Sequence, residues 1–328
     1  MKTDDDENVI LACIEALGNI KSEKSVAHLV RLYSVNELFV PSIIEALGKI
    51  GSDVAIDFIM ESYKTDDELI KYSIVESLGN IGNPQSFYFL LSELKNLTGP
   101  MSWAAVEAIY KLSSKYNLEV PFEESFKNKI LDTLYEADPQ FKKSALALVI
   151  GYEDKEIFDA FLSVLGSDYE IDEMVKEKLL NNVDATIKGI HKRLDEKSDN
   201  IASLLALLEE MCEIHGLDFN QYFQPLERQA FLDSLAAALE LPIEEARKSA
   251  MNLLFKISPD YAFLFLDKML ADDNLWNRLF VLDILEGYSL GEEELSILSG
   301  IADKSDDMVR ERIIDLVEYN RNQLSTQN

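Results

Sequence analysis

The block Glu15-Ala16-Leu17-Gly18-Asn19-Ile20 returns as Glu45-Ala46-Leu47-Gly48-Lys49-Ile50-Gly51, then as Glu76-Ser77-Leu78-Gly79-Asn80-Ile81-Gly82, and more faintly as Glu107-Ala108-Ile109-Tyr110-Lys111-Leu112. The first residues of these copies lie 30, 31 and 31 positions apart. A fixed period of this size constrains the fold more than any other feature of the chain. One helix pair cannot bury its apolar face alone, so each unit needs a neighbour of the same shape.

The third copy shows what a unit contains. Ile70, Ile74, Leu78 and Ile81 recur at helical spacing, with Asp66-Asp67-Glu68 ahead of them where negative charge favours a helix N-terminus. Gly79 and Gly82 predict a helix stop through left-handed backbone, and Asn83-Pro84 predicts the turn into a second helix beginning at Phe87 to Leu94. In copies one and two, Ser25 to Tyr33 and Ser52 to Tyr63 are the matching second helices. The unit is therefore helix, short turn, helix.

An acidic turn, a helix ending in Ala-Leu-Gly-x-Ile-Gly, an Asn-Pro or Ser-Asp turn and a second apolar helix resemble HEAT repeats of the type found in phycobilin lyases and many bacterial proteins. The resemblance implies an all-α fold, a right-handed α-solenoid of about eight to ten helix pairs. That pattern carries Val-Arg eight and seven residues before the Leu of the block. The N-terminal copies depart from it, with Val9-Ile10, Phe39-Val40, Ile70-Lys71 and Met101-Ser102. The C-terminal half restores it as Ala246-Arg247, Asn277-Arg278 and Val309-Arg310, each arginine near an acidic stretch such as Asp272-Asp273 or Asp306-Asp307. Arg247, Arg278 and Arg310 are thus expected to form a structural ladder of Arg to Asp contacts between repeats.

This reading takes residues 1–328 as one array, with regular repeats at 5–115 and 243–320, irregular ones at 116–242 and a tail at 321–328. Within the irregular stretch, Phe141-Lys142 and Val175-Lys176 are degenerate copies, and Ile201 to His215 and Tyr222 to Glu240 read as helices. The irregular middle either bends the array or separates two subarrays, and the absence of a Gly/Ser/Pro-rich linker favours the bend. The sequence also opens on a helix of the inner type, with Asp4 to Glu7 as its leading turn. A terminal unit without its partner leaves an apolar edge, which predicts either more chain before it or self-association through the N-terminal repeat.

Charge narrows the function. Sixty acidic side chains against 31 basic ones give a formal charge of −29. That field repels phosphate backbones and anionic lipid surfaces, so neither nucleic acid nor membrane is expected as a partner. It also disfavours a helical-repeat DNA glycosylase, which needs a basic surface around a flipped base. Cys13 and Cys212 sit singly in apolar helical runs and read as buried thiols in a reducing, cytoplasmic setting. The N-terminus lacks the apolar core of a signal peptide.

No phosphate-binding loop, dinucleotide fingerprint or nucleophile elbow occurs, and His28, His191 and His215 are too dispersed for a zinc set. Cys212 and His215 share a helix face, but two groups do not complete a metal site. No catalytic residue, cofactor or metal is therefore expected. What remains is a binding surface. The residues facing away from the buried stripe of the inner helices form two rows: Glu15, Glu45, Glu76 and Glu107, and, one turn earlier, Leu11, Pro41, Tyr72 and Trp103. Phe39 and Met101 fall on the buried side. Aromatic and apolar anchors beside a row of acids suit a protein or peptide partner of basic character, held along an acidic concave face. The expected function is a non-enzymatic interaction scaffold. A bilin-lyase-like or chromophore-handling enzyme, or its accessory subunit, is the alternative that the resemblance implies.

Overall fold

The computed structural model describes residues 6–196 and 198–327. Among the described residues every regular element is helical, and the helices group into two compact units, Met1–Val164 and Leu165–Asn328. The division falls inside the stretch 116–242 where the sequence period blurs.

The first unit runs α1 (Glu7–Ile20), α2 (Val26–Tyr33), α3 (Val40–Ile50), α4 (Asp53–Ser62), α5 (Glu68–Ile81), α6 (Pro84–Leu94), α7 (Gly99–Tyr116), α8 (Glu124–Glu136), α9 (Pro139–Val149) and α10 (Lys155–Val164). Odd-numbered helices pack on one another in order, α1 on α3, α3 on α5, α5 on α7 and α7 on α9. The even-numbered α2, α4 and α6 form a second row, and α10 packs on α8. Local sequence sets the ends. The Asp67 carboxylate accepts from Leu69 and Ile70 N–H at 2.9 and 3.1 Å to start α5, and Asn83 with Ser86 closes a capping box at α6 with Pro84 in the first turn. Asp6 caps α1 through Asn8 N–H at 2.9 Å, whereas Asp4 lies outside the described residues.

The repeated glycine acts differently from the sequence expectation. Gly79 lies within α5 rather than ending it, and Gly82 caps that helix at φ −51°, outside the left-handed region. A Cβ on Gly79 would stand 2.8 Å from Ala108 Cα, and one on Gly18 equally close to Ala46 Cα. In the first and third blocks the Gly is thus the flat spot against which the Ala two residues earlier in the next block's register is pressed, while a Cβ on Gly48 would stand 3.2 Å from Ser77 Oγ. Leu47, Ile74, Leu78 and Ile109 are fully buried beside these contacts. Each such side chain contributes roughly 1.5–3 kcal/mol on burial, too little per unit to order a helix pair without its neighbour.

The second unit runs α11 (Tyr169–Asn181), α12 (Val183–Glu196), α13 (Ile201–His215), α14 (Pro225–Ala238), α15 (Glu244–Ile257), α16 (Pro259–Phe263), α17 (Leu266–Leu270), α18 (Leu275–Leu285), α19 (Glu292–Ala302) and α20 (Asp307–Gln327). One row packs as α11, α13, α15, α18 and α20, the other as α12 on α14 and α17 on α19. The helix expected over Tyr222 to Glu240 begins at Pro225, after a separate 3-10 turn at Phe219–Gln221, and α20 continues through the segment read as a tail.

The period persists through the irregular stretch in a form that hydrophobic pattern does not reveal. Carbonyl oxygens near the ends of helices are met by a donor about one repeat later. Tyr116 OH donates to Gly82 O at 2.9 Å, Tyr152 OH to Val120 O at 3.1 Å and Asn200 Nδ2 to Leu165 O at 2.9 Å. Tyr288 OH donates to Phe255 O at 3.3 Å, and His215 Nε2 lies 3.1 Å from Leu180 O. Each contact satisfies a carbonyl that a helix end or turn leaves open.

Candidate functional site

Of the two expected rows, Pro41, Glu45 and Glu76 meet at a groove between α3 and α5, which Leu11, Glu15, Tyr72, Trp103 and Glu107 do not line. The groove, of about 410 Å³, is lined by Pro41, Ser42 and Glu45 of α3 and by Ser73, Glu76 and Ser77 of α5. Small serines leave the groove open, because they stand where larger side chains would fill the space. Pro41, Glu15, Glu45 and Glu76 are exposed, while Leu11, Tyr72, Trp103 and Glu107 are half-buried. Burial pushes the Tyr72 hydroxyl up from its usual value, and the Glu76 and Glu107 carboxylates push it further. The phenol ring therefore lies in the field of one carboxylate from its own helix and one from α7. Trp103 leans sideways on Phe141 of α9, with ring centroids 6.4 Å apart, so its role is divided between surface and packing.

The acid row is not uniform. Glu45 pairs with Lys49 at 2.8 Å and Glu107 with Lys111 at 3.2 Å, each one turn on, and Lys111 also donates to Asn80 Oδ1 at 3.2 Å across to α5. Glu76 has Asn80 in place of a lysine one turn later. Sequence reading passed over Lys49 and Lys111, although their i, i+4 spacing after the row glutamates was the available signal. Glu76 thus lacks a lysine one turn later on its own helix, as does Glu15 with Asn19, while Lys49 of α3 lines the same groove as Glu76.

In the second unit the three ladder arginines divide into two kinds. Arg247 is buried and grips Asp272 through Nε at 2.6 Å and Nη2 at 3.0 Å, while also bonding Asp273 and the Leu241 carbonyl. Burial alone would raise the Asp272 carboxyl, but Arg247 and the Asn274 N–H hold it below the usual aspartate range. Arg278 Nη1 reaches Asp306 at 2.9 Å, just ahead of α20. Arg310 turns back on its own helix end, onto Asp307 at 3.0 Å and the carbonyls of Ala302 and Ser305.

Two burial expectations need correction. Met101 is half-buried where Phe39 is 3% exposed, because Met101 sits in the first turn of α7 beside Gly99 and Pro100, where fewer neighbours cover it. Cys13 and Cys212 are half-buried free thiols rather than core residues. Cys13 lies on α1, which has its main packing partner in α3, and Cys212 lies in the last turn of α13. Burial still pushes the Cys212 thiol up to about 11, with Glu209 and Glu213 adding to it against Lys256.

His28 is exposed, His215 is spent on the Leu180 carbonyl, and His191 stacks edge-on against Phe223 and Phe231. Among the described residues no three His, Cys, Asp or Glu side chains gather to hold a metal ion, and no helix is long and apolar enough to cross a membrane.

No protein-family model and no curated protein matches the chain. Among solved structures, a crystal structure of an engineered protein from the Northeast Structural Genomics Consortium is similar at 14% identity and a TM-score of 0.39, covering 96% of this chain and 97% of its own.

Proposed function

We propose that the chain is a non-enzymatic interaction scaffold of HEAT-like helix pairs, arranged as a right-handed α-solenoid, that holds a basic protein or peptide along the acidic face of its inner helices. The observation that carries this reading is the Tyr72 ring, half-buried on α5 in the field of Glu76 and Glu107, together with the open groove that Pro41, Glu45, Lys49 and Glu76 line between α3 and α5. An aromatic face flanked by carboxylates suits an arginine or lysine side chain, which gains from both the ring quadrupole and the charges. Pro41 and the serines of α3 and α5 leave space for the backbone that carries it. Residues Leu11, Glu15, Pro41, Glu45, Tyr72, Glu76, Trp103 and Glu107 are the contact surface in this proposal. It involves no cofactor or metal.

The test is a binding measurement with partners captured from the native cytosol and with synthetic Arg-rich peptides, comparing wild type with a Tyr72→Ala, Trp103→Ala double variant. Loss of a hot-spot aromatic costs about 2 kcal/mol or more, which is roughly a thirtyfold fall in affinity. Unchanged affinity in the double variant, for every partner that binds wild type, would exclude this surface.

A further inference from the structure

The C-terminal unit carries an exposed apolar edge of its own. Ile243, Trp276 and Met308 stand at the first turns of α15, α18 and α20 and are 36%, 73% and 54% exposed. These helices are consecutive neighbours in one packed row. Their turns are tied to one another by polar contacts. Asn277 Nδ2 donates to Glu244 O at 3.1 Å, Asn274 Nδ2 donates to the Glu244 carboxylate, and Arg278 reaches Asp306. The Asn274 side chain also accepts from Trp276 N–H at 2.8 Å. The backbone under the indole is therefore held from two sides, and the ring is presented at little further ordering cost.

The charge around this edge is acidic on balance, although Asp273 is paired with Arg247, Asp307 with the part-exposed Arg310, and Lys304 is exposed before α20. Asp273 and Asp307 have side chains 86% and 94% exposed, and Glu244 and Glu245 are exposed beside them. The nearby guanidiniums of Arg247, Arg278 and Arg310 are directed into the ion pairs and carbonyl contacts of the repeat turns. What faces outward is an indole and two aliphatic side chains ringed mainly by carboxylates.

We propose that this edge docks a cationic amphipathic helix of a partner protein, with a lysine or arginine over the Trp276 ring and apolar side chains on Met308 and Ile243. Neighbouring packed helices lie about 8–10 Å apart, and residues i and i+7 of a docked helix are separated by about 10.5 Å, so an apolar residue at i, a cation at i+7 and an apolar residue at i+14 meet Ile243, Trp276 and Met308 in turn. The acidic ring selects a basic segment over an acidic one of the same pattern. This surface is independent of the one around Tyr72.

The experiment uses the full chain labelled with 5-fluorotryptophan, whose two resonances, Trp103 and Trp276, are assigned with a Trp276→Phe sample. The probe is a synthetic helix with leucine at i and i+14, a lysine or arginine at i+7, and further flanking lysines and arginines. Its control replaces every basic residue with glutamate. Expected are a perturbation of the Trp276 resonance by the basic peptide alone, weakening of binding with added salt, and a loss of about tenfold or more in affinity in Trp276→Ala. Binding of the acidic control with equal affinity, a perturbation confined to Trp103, or unchanged affinity in Trp276→Ala would overturn the proposal. A shift at Trp103 alone would instead bear on the Tyr72 surface.

Discussion

Within each unit one row of helices packs in order, and the two units secure that row by different forces. In the first, Gly18 and Gly79 let α1 approach α3 and α5 approach α7 until an alanine touches the glycine backbone. In the second, the position after the block leucine is Phe255, Glu286 or Glu318, and close approach is replaced by polar bridges. Lys176 pairs with Glu210 at 2.9 Å, Ser249 donates to Glu209 at 2.6 Å, Lys256 pairs with Glu213 at 3.0 Å, and Arg247 is buried on Asp272. One repeat pattern therefore tolerates two solutions. The glycine contact depends on shape alone, whereas the ionic seam depends on protonation and on every partner being present.

Removing the most buried member of the seam should break this comparison most sharply. Arg247→Ala leaves Asp272 buried without its guanidinium and is expected to cost about 3–5 kcal/mol, read as a lower urea midpoint. Gly79→Val forces a side chain into Ala108 and should cost about 1–3 kcal/mol, with hydrogen exchange in α5 and α7 rising before that in α15. Acid should then separate the units by a smaller step. The Asp272 carboxyl lies below its ordinary value when folded, so its contribution is present above that ordinary value and is lost as pH falls through the depressed one. Carboxyl titration by NMR should place Asp272 below free aspartate, and protection of α15 and α18 should fall with it. The smallest effect belongs to the exposed pairs of the first unit. Lys111→Ala should change stability by only about 0.5 kcal/mol in the same urea series, since exposed i, i+4 pairs are well screened. A loss comparable to that of Arg247→Ala would erase the distinction drawn between the two units.

The helix pairs of the first four blocks were readable because periodic apolar residues, caps and Pro coincide there. The limits of α5 and α13 fall at the residues that the pattern marks. The role of Gly79 was not readable, since a glycine near a helix end signals a stop equally well, and only the position of Ala108 on another helix distinguishes the two. The irregular middle was hard to divide for a related reason. Its repeat is written in single donors such as Tyr152, Asn200 and His215, which reach a backbone oxygen and so leave no side-chain pair for the sequence to show. At the candidate surface, residue types announced Tyr72 and Glu76, but not the lysines that neutralise Glu45 and Glu107. The exposed Trp276 was hidden in plain view, because an aromatic in an apolar helix reads as core until its exposure is known.

The carbonyl contacts made from one repeat to the one before it have a direction. Tyr116 completes Gly82, Tyr152 completes Val120, Asn200 completes Leu165, His215 serves Leu180 and Tyr288 completes Phe255. In each case the group that finishes a helix end or turn is synthesised later than the oxygen it serves. A chain leaving the ribosome thus carries, at each of these points, a carbonyl that stays open to water until the next repeat arrives; the end of α15 is the reverse case, where the earlier Arg228 donates to Ile257 O at 2.9 Å. Cutting the chain from its C-terminus should therefore loosen the last remaining repeat as well as remove the one cut away, whereas shortening it from the N-terminus spares these later-donated contacts in what is left.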